Sequence, residues 1–157
     1  MSHENKLREK PIERKNDYLK YWRSIYHYNK VKHNLTSGDI DMLLFLYSEP
    51  YFTVKKFEEF NRVLQLNRNR LNQLVDAGWI DIFRKGKARH AARYQLSRKG
   101  SSMVGTMYKQ LNGGLVQETN TRLFRKKGAS YMDKRHAEQL LIRNETIRLQ
   151  QRQTREL

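Results

Sequence analysis

The stretch that decides the fold reads Ala77-Gly78-Trp79-Ile80-Asp81-Ile82-Phe83, continues through a basic segment from Arg84 to Arg93, and closes on Tyr94-Gln95-Leu96-Ser97. Alternation of branched and aromatic residues from Trp79 to Phe83 predicts a strand, and Tyr94–Ser97 reads as its partner. Gly78 supplies a helix stop that tolerates left-handed geometry, so a helix should end just before the strand. The segment between the strands is too long for a tight two-residue turn, which predicts a hairpin with a mobile basic tip. Ser97 can cap a following helix, although Gly100 argues for a slightly later start. Met103, Val104, Met107, Tyr108 and Leu111 make its apolar face.

Upstream, apolar residues recur at helical spacing in four segments. Tyr18, Tyr21, Trp22, Ile25, Tyr28 and Val31 form one face of a helix ending near His33. Thr36 or Ser37 can cap a second helix, with Ile40, Leu43, Leu44 and Tyr47 inward, and Pro50 closes it. Thr53 caps a third, carrying Val54, Phe57 and Phe60; Val63, Leu64 and Leu66 occupy the bend after it. Asn67 can cap a fourth, with Leu71, Leu74 and Val75 inward. Downstream, Gly113-Gly114 breaks the pattern and marks the best boundary. Two helical stretches follow, about 115–127 and 131–155, separated by Gly128. In the last of them Leu140, Leu141, Ile142, Ile147 and Leu149 make an apolar stripe too thin to bury alone. The expected layout is a flexible basic arm over 1–16, a core domain over 17–112, and a charged helical extension over 115–157.

The order helix, helix, helix, strand, basic loop, strand, helix is that of a winged helix. Several residues resemble the MarR type of winged helix-turn-helix regulator. Leu71, Leu74 and the Ala77-Gly78-Trp79-Ile80 step look like a recognition helix running into the first wing strand. Tyr94-Gln95-Leu96-Ser97-Arg98-Lys99-Gly100 resembles the second wing strand and its Leu-Thr-x-x-Gly turn, and Leu35-Thr36 with Asp39 resembles the entry to the helix before the motif. The match covers about residues 17–112. It implies a mainly α (α+β) fold, with a two-stranded hairpin wing, an N-terminal helix and a helical C-terminal extension. It also implies that the fourth helix enters the major groove while the wing reaches backbone or minor groove. The chain departs from the family where wings often carry Asp followed by Arg-Arg. Ala88, Arg89 and His90 stand there, so Arg89 matches the first arginine and lacks an acidic residue to orient it.

Charge supports the same reading independently. The chain holds 32 Lys and Arg against 16 Asp and Glu, a formal net charge of +16. Such an excess calls for a polyanion, and nucleic acid is the commonest. No acidic residue lies between Glu59 and Asp76, where Asn67, Arg68, Asn69, Arg70, Asn72 and Gln73 fall. Arg pairs with guanine, and Asn or Gln with adenine, so these residues are the expected base readers. A second acid-free stretch from Ile82 to Gln117 carries Arg84, Lys85, Lys87, Arg89, His90 and Arg93 on the wing. A solvated face is the ordinary explanation of a charge run, but here two such runs fall on the two elements expected to meet DNA.

Tyr18, Trp22 and Ile25 on the first helix, with Met107, Tyr108 and Leu111 after the wing, are the expected dimer interface. In the resembled family these helices build the dimer, and a ligand crevice can open beside them. The absence of cysteine excludes a disulfide framework, a thiolate zinc site and a thiol switch. His3, His27, His33, His90 and His136 are scattered without metal-ligand spacing, and no phosphate-cradling loop or nucleophile elbow occurs. No enzyme activity, metal or cofactor is therefore expected. Neither a secretion signal nor a run of about 20 apolar residues is present, which predicts a soluble cytoplasmic protein associated with the nucleoid. The expected function is sequence-preferring binding of double-stranded DNA by a homodimer that regulates transcription. The alternative is an architectural or assembly protein, for example of a phage particle or nucleoprotein complex. There residues 115–157 would grip a protein partner or packaged nucleic acid.

Overall fold

A computed structural model describes residues 18–65, 69–118, 122–125 and 127–157. The basic arm, Asn67, Arg68, Leu66 and part of the stretch after Gly114 lie outside the described residues. Among those described, six α-helices and one two-stranded sheet follow in the order α1 (Tyr18–His33), α2 (Ser37–Leu46), α3 (Val54–Leu64), α4 (Arg70–Asp76), β1 (Ile80–Arg84), β2 (Arg93–Leu96), α5 (Arg98–Leu111) and α6 (Tyr131–Arg155). This is a mainly α winged helix-turn-helix. No helix among the described residues is long and apolar enough to cross a membrane.

The caps explain where the elements begin. The Thr36 hydroxyl accepts the Asp39 amide at 3.2 Å while the Asp39 carboxylate accepts the Thr36 amide at 3.0 Å, a reciprocal box that starts α2. Thr53 caps α3 through the Lys56 amide, and Ser130 with Asp133 repeats the box at α6. Gly78, at φ +83°, turns the chain from α4 into β1. Ser97 is tied twice. Its hydroxyl accepts the Gly100 amide and donates to the Gly78 carbonyl at 2.7 Å, which joins the start of α5 to the start of β1.

Two cores hold the molecule. Ile40, Leu43, Leu46, Phe57, Leu74, Ile80 and Val104 are almost wholly enclosed in the first, within the winged helix. Ile25, Tyr28, Val116, Leu123, Ala137 and Leu140 form the second, where α6 packs on α1. β1 and β2 pair antiparallel, Ile80 opposite Leu96 and Ile82 opposite Tyr94, with a slip in register between Ile82 and Arg84. Phe52 bridges Tyr94 on the other side, with amide–carbonyl bonds of 2.9 and 2.8 Å.

Several expectations need correcting. Met42 and Leu46 join Ile40 and Leu43 on the buried side of α2, with Leu44 half-buried against the same core, whereas Tyr47 lies past the last turn of the helix and is exposed. Val54 is exposed, since α3 buries Phe57 and Asn61 instead, and Val63 and Leu64, expected in the bend, belong to the last turn of α3. The fourth helix starts at Arg70, after Asn69. The fifth starts at Arg98, and Gly100 lies inside its first turn. The wing does end in a two-residue turn: Lys87 and His90 exchange amide–carbonyl bonds of 2.9 and 3.0 Å across Ala88-Arg89. Residues 114–118 are not helical. There the Asn144 side chain accepts the Val116 amide and donates to the Val116 carbonyl, replacing the ladder a helix would supply. Leu141, Ile142 and Leu149 face solvent, whereas Ala137, Leu140, Arg143 and Asn144 make the buried stripe of α6.

Candidate nucleic-acid interface

α4 is short, and its burial pattern is set by Leu71 and Leu74. These two side chains seat the helix on the first core and turn Asn72 and Gln73 outward, where both are exposed. Arg70 is not free in the same way. Its guanidinium donates to Asp39 Oδ1 at 2.7 Å and to the Thr36 hydroxyl at 3.4 Å, and its side chain is only 19% exposed. The same carboxylate closes the capping box of α2, so one acid fixes both α2 and the start of α4. Sequence alone gives no sign of this pairing, because Asp39 and Arg70 are far apart in the chain.

The wing presents its basic side chains openly. Arg84, Lys85, Lys87, Arg89, His90 and Arg93 are all exposed, and Arg84 sits opposite Arg93 across the hairpin. Arg89 occupies a corner of the terminal turn. In water the like charges of the Lys and Arg side chains repel weakly, but a polyanion laid along the hairpin would be attracted by each of them.

Between α4 and the base of the wing lies an open crevice of about 370 Å³, lined by His33, Asp39, Arg70, Gln73, Trp79 and Lys99 among others. Lys99 places its ammonium 4.1 Å from the centre of the Trp79 ring, and His33 meets that ring edge-on. Burial, then the charges of Lys32 and Lys99, push the His33 imidazole below its ordinary pKa. On the other side of α2's entry, burial pushes the Tyr26 phenol up to about 12, while its hydroxyl donates to the Ser37 carbonyl at 2.7 Å and contacts Asp41.

Two of the residues expected at a dimer interface are enclosed within the chain itself. Ile25 and Met107 are each 1% exposed, one in each core. Trp22 packs on the first core and Leu111 on the second, both half-buried. Tyr18 and Tyr108 remain exposed, with Tyr108 stacked on Tyr47. Of the histidines, His27 and His136 stack at 4.5 Å; His27 bonds Asp133 at 2.7 Å and His136 bonds the Ser24 hydroxyl at 2.9 Å. No group of three or more His, Cys, Asp and Glu that could hold a metal occurs among the described residues.

No protein-family model and no curated protein matches the chain. A solved structure of AbfR in its disulfide form is similar to it. The two share 16% identity over 89% of this chain and 88% of that one, with a TM-score of 0.42. A likeness that distant adds nothing to what the element order shows, and the disulfide has no counterpart in a chain without cysteine.

Proposed function

We propose that this chain binds double-stranded DNA with sequence preference, as a MarR-type winged-helix regulator of transcription acting as a homodimer. The observation that carries the reading is the wing: six exposed basic side chains on one hairpin, in a stretch without a single acid, beside a short helix that turns Asn72 and Gln73 outward, with its one acid, Asp76, at its far end. Phosphate contacts from Arg84, Lys85, Lys87, Arg89, His90 and Arg93 would position the protein, and base contacts would specify the site. Asn72 and Gln73, both exposed on α4, would read base edges, together with Asn69 at its start. Arg70, held by Asp39, would set the angle of α4. Asn67 and Arg68 belong to the same proposed surface by sequence.

The test is selection from a randomised duplex library at two salt concentrations, combined with mass in solution. An enriched palindrome and a dimeric mass support the reading, and Asn72→Ala or Gln73→Ala should then relax one base position at a cost of about 1–3 kcal/mol. Arg70→Ala should lower affinity on all sequences alike. A library that emerges unselected at both salts speaks against a regulator.

A second reading has one observation behind it. Met132, Leu141, Ile142 and Leu149 on α6 are each about half exposed, which suits an assembly protein whose C-terminal helix docks on a partner. Uniform, steeply salt-dependent DNA binding together with loss of assembly on Ile142→Asp would favour it.

A further inference from the structure

Phe83 and Tyr51 form a pair of rings that the winged-helix core does not use. Their centroids are 4.4 Å apart at an interplanar angle of 37°, and the two residues are 52% and 45% exposed. Each is held from a different segment. Phe83 falls at the slip in register, between the pairs Ile82–Tyr94 and Arg84–Arg93, and so has no partner opposite it on β2. An irregularity of this kind re-aims a side chain away from the ladder. Tyr51 is fixed by its neighbour: Phe52 is bridged to Tyr94 and 2% exposed, so chain alternation sends Tyr51 to the opposite side.

The surroundings are cationic. Arg84 and Lys85 follow Phe83 directly, Arg93 stands opposite Arg84, and Lys55 is exposed near Tyr51 in the chain. Of the nearby acids, Glu49 lies 3.9 Å from the Lys56 ammonium, and Asp81 is two residues from Phe83 on β1. An apolar protein surface covering the rings would have to desolvate these cations, which outnumber the nearby acids. A nucleotide meets both requirements, with a flat base for the rings and a phosphate for the cations.

We propose that Phe83 and Tyr51 form a stacking site for an unpaired base, so that the protein prefers forked or locally melted DNA to intact duplex. The site rests on the duplex-binding reading only for the course of the backbone along the wing. Bases inside a duplex are already stacked and cannot use the rings, so the gain is confined to unpaired positions.

The experiment is fluorescence anisotropy of the full chain with three DNAs of one sequence: a blunt duplex, the same duplex ending in an unpaired fork, and the single strand. The forked duplex should bind about five- to tenfold more tightly than the blunt one, the equivalent of one good base–aromatic stack. Phe83→Leu, which keeps an apolar side chain but removes the flat ring, should abolish that difference while leaving blunt-duplex affinity unchanged. Phe83→Trp should preserve it. A 5-iodouracil at the first unpaired position should crosslink to Phe83 or Tyr51. Equal binding of forked and blunt duplexes by the wild type overturns the proposal, as does a Phe83→Leu protein that keeps the fork preference. A change in solution mass with Phe83→Leu also overturns it, since the rings would then be covered by a second copy. Binding to fork and single strand with none to blunt duplex leaves the stacking site standing and sinks the duplex reading instead.

Discussion

One carboxylate oxygen of Asp39 lies 2.7 Å from the Arg70 guanidinium while the other accepts the Thr36 amide at 3.0 Å. The acid therefore caps α2 and fixes the first residue of α4 at once. Asp39→Ala should lower stability by about 2–3 kcal/mol, combining loss of the cap with loss of a charge-assisted hydrogen bond. Arg70→Ala should cost less, since the cap survives. Urea midpoints at constant slope would check both, and an unchanged Asp39→Ala midpoint would remove the link.

At the wing tip, Arg89 is exposed at a corner of the Ala88-Arg89 turn, with no acid in the hairpin loop. Arg89→Ala should weaken all duplexes by a similar factor and make the slope of log affinity against log salt shallower by about one. Arg89→Lys should keep most of the binding. A large loss with Lys on one sequence only would show the arginine seated in a groove and reading its shape.

Gly100 is required by contact, not by backbone conformation. A Cβ there would stand 2.6 Å from the Trp79 carbonyl oxygen, a backbone atom that cannot swing away. Gly100→Ala should therefore destabilise by about 1–3 kcal/mol and loosen the wing's base. Differential melting would measure the first effect, and hydrogen exchange at Ser97 and Ile80 the second. A melting point equal to the wild type would refute the contact.

For the proposed dimer, Tyr108→Asp is the informative variant, because the side chain is exposed and the two cores do not depend on it. It should yield a monomer that melts as before and binds a two-half-site duplex weakly. Ile25→Asp, by contrast, should unfold the chain. A Tyr108→Asp dimer would move the interface elsewhere.

Stability should fall as pH drops through the histidine range. His136 is pushed below its ordinary pKa by burial and then by His27, with Asp133 opposing and Arg23 adding to the push. His33 moves the same way. Each binds its proton more weakly folded than unfolded, so stability is full above about pH 6.5 and is lost as pH falls below it. At Asp133 burial favours the acid form, but hydrogen bonds from His27 and Ser130 outweigh it and hold the carboxyl below its usual range. That contribution is present above about pH 4 and disappears in stronger acid. Melting should shift to lower temperature between pH 7.5 and 5.5, and His136→Asn should reduce the shift. An equal shift in the variant would assign the effect elsewhere.

What the sequence discloses is what depends on near neighbours in the chain. Thr36 with Asp39, Thr53 before Val54, Gly78, and Ser97 before Arg98 act within four residues, and each element lies close to its expected place. The first core follows from helical spacing for the same reason. The pairing of Asp39 with Arg70, and of Tyr51 with Phe83, arises from tertiary contact and leaves no periodic trace. Nor does α6 announce its packing face, because that face is half polar. Arg143 donates to the carbonyls of Gln110 and Gly114, and Asn144 holds Val116, so an apolar count selects Leu141 and Ile142 instead. The tight turn at Ala88-Arg89 escapes notice because neither residue is glycine and neither needs positive φ.

The union of α1 with α6 also has an outcome in time. His27 reaches Asp133 across 106 positions and Ser24 reaches His136 across 112. During vectorial synthesis the wing and both its strands emerge while Ile25 and Tyr28 still lack Ala137 and Leu140. The nascent chain thus carries an uncovered apolar flank on its first helix until the last is made, a long-range closure of the kind that slows folding. A ribosome stalled after Asn112 should display a structured wing beside an unsheathed α1, the stage at which a chaperone would find its handle.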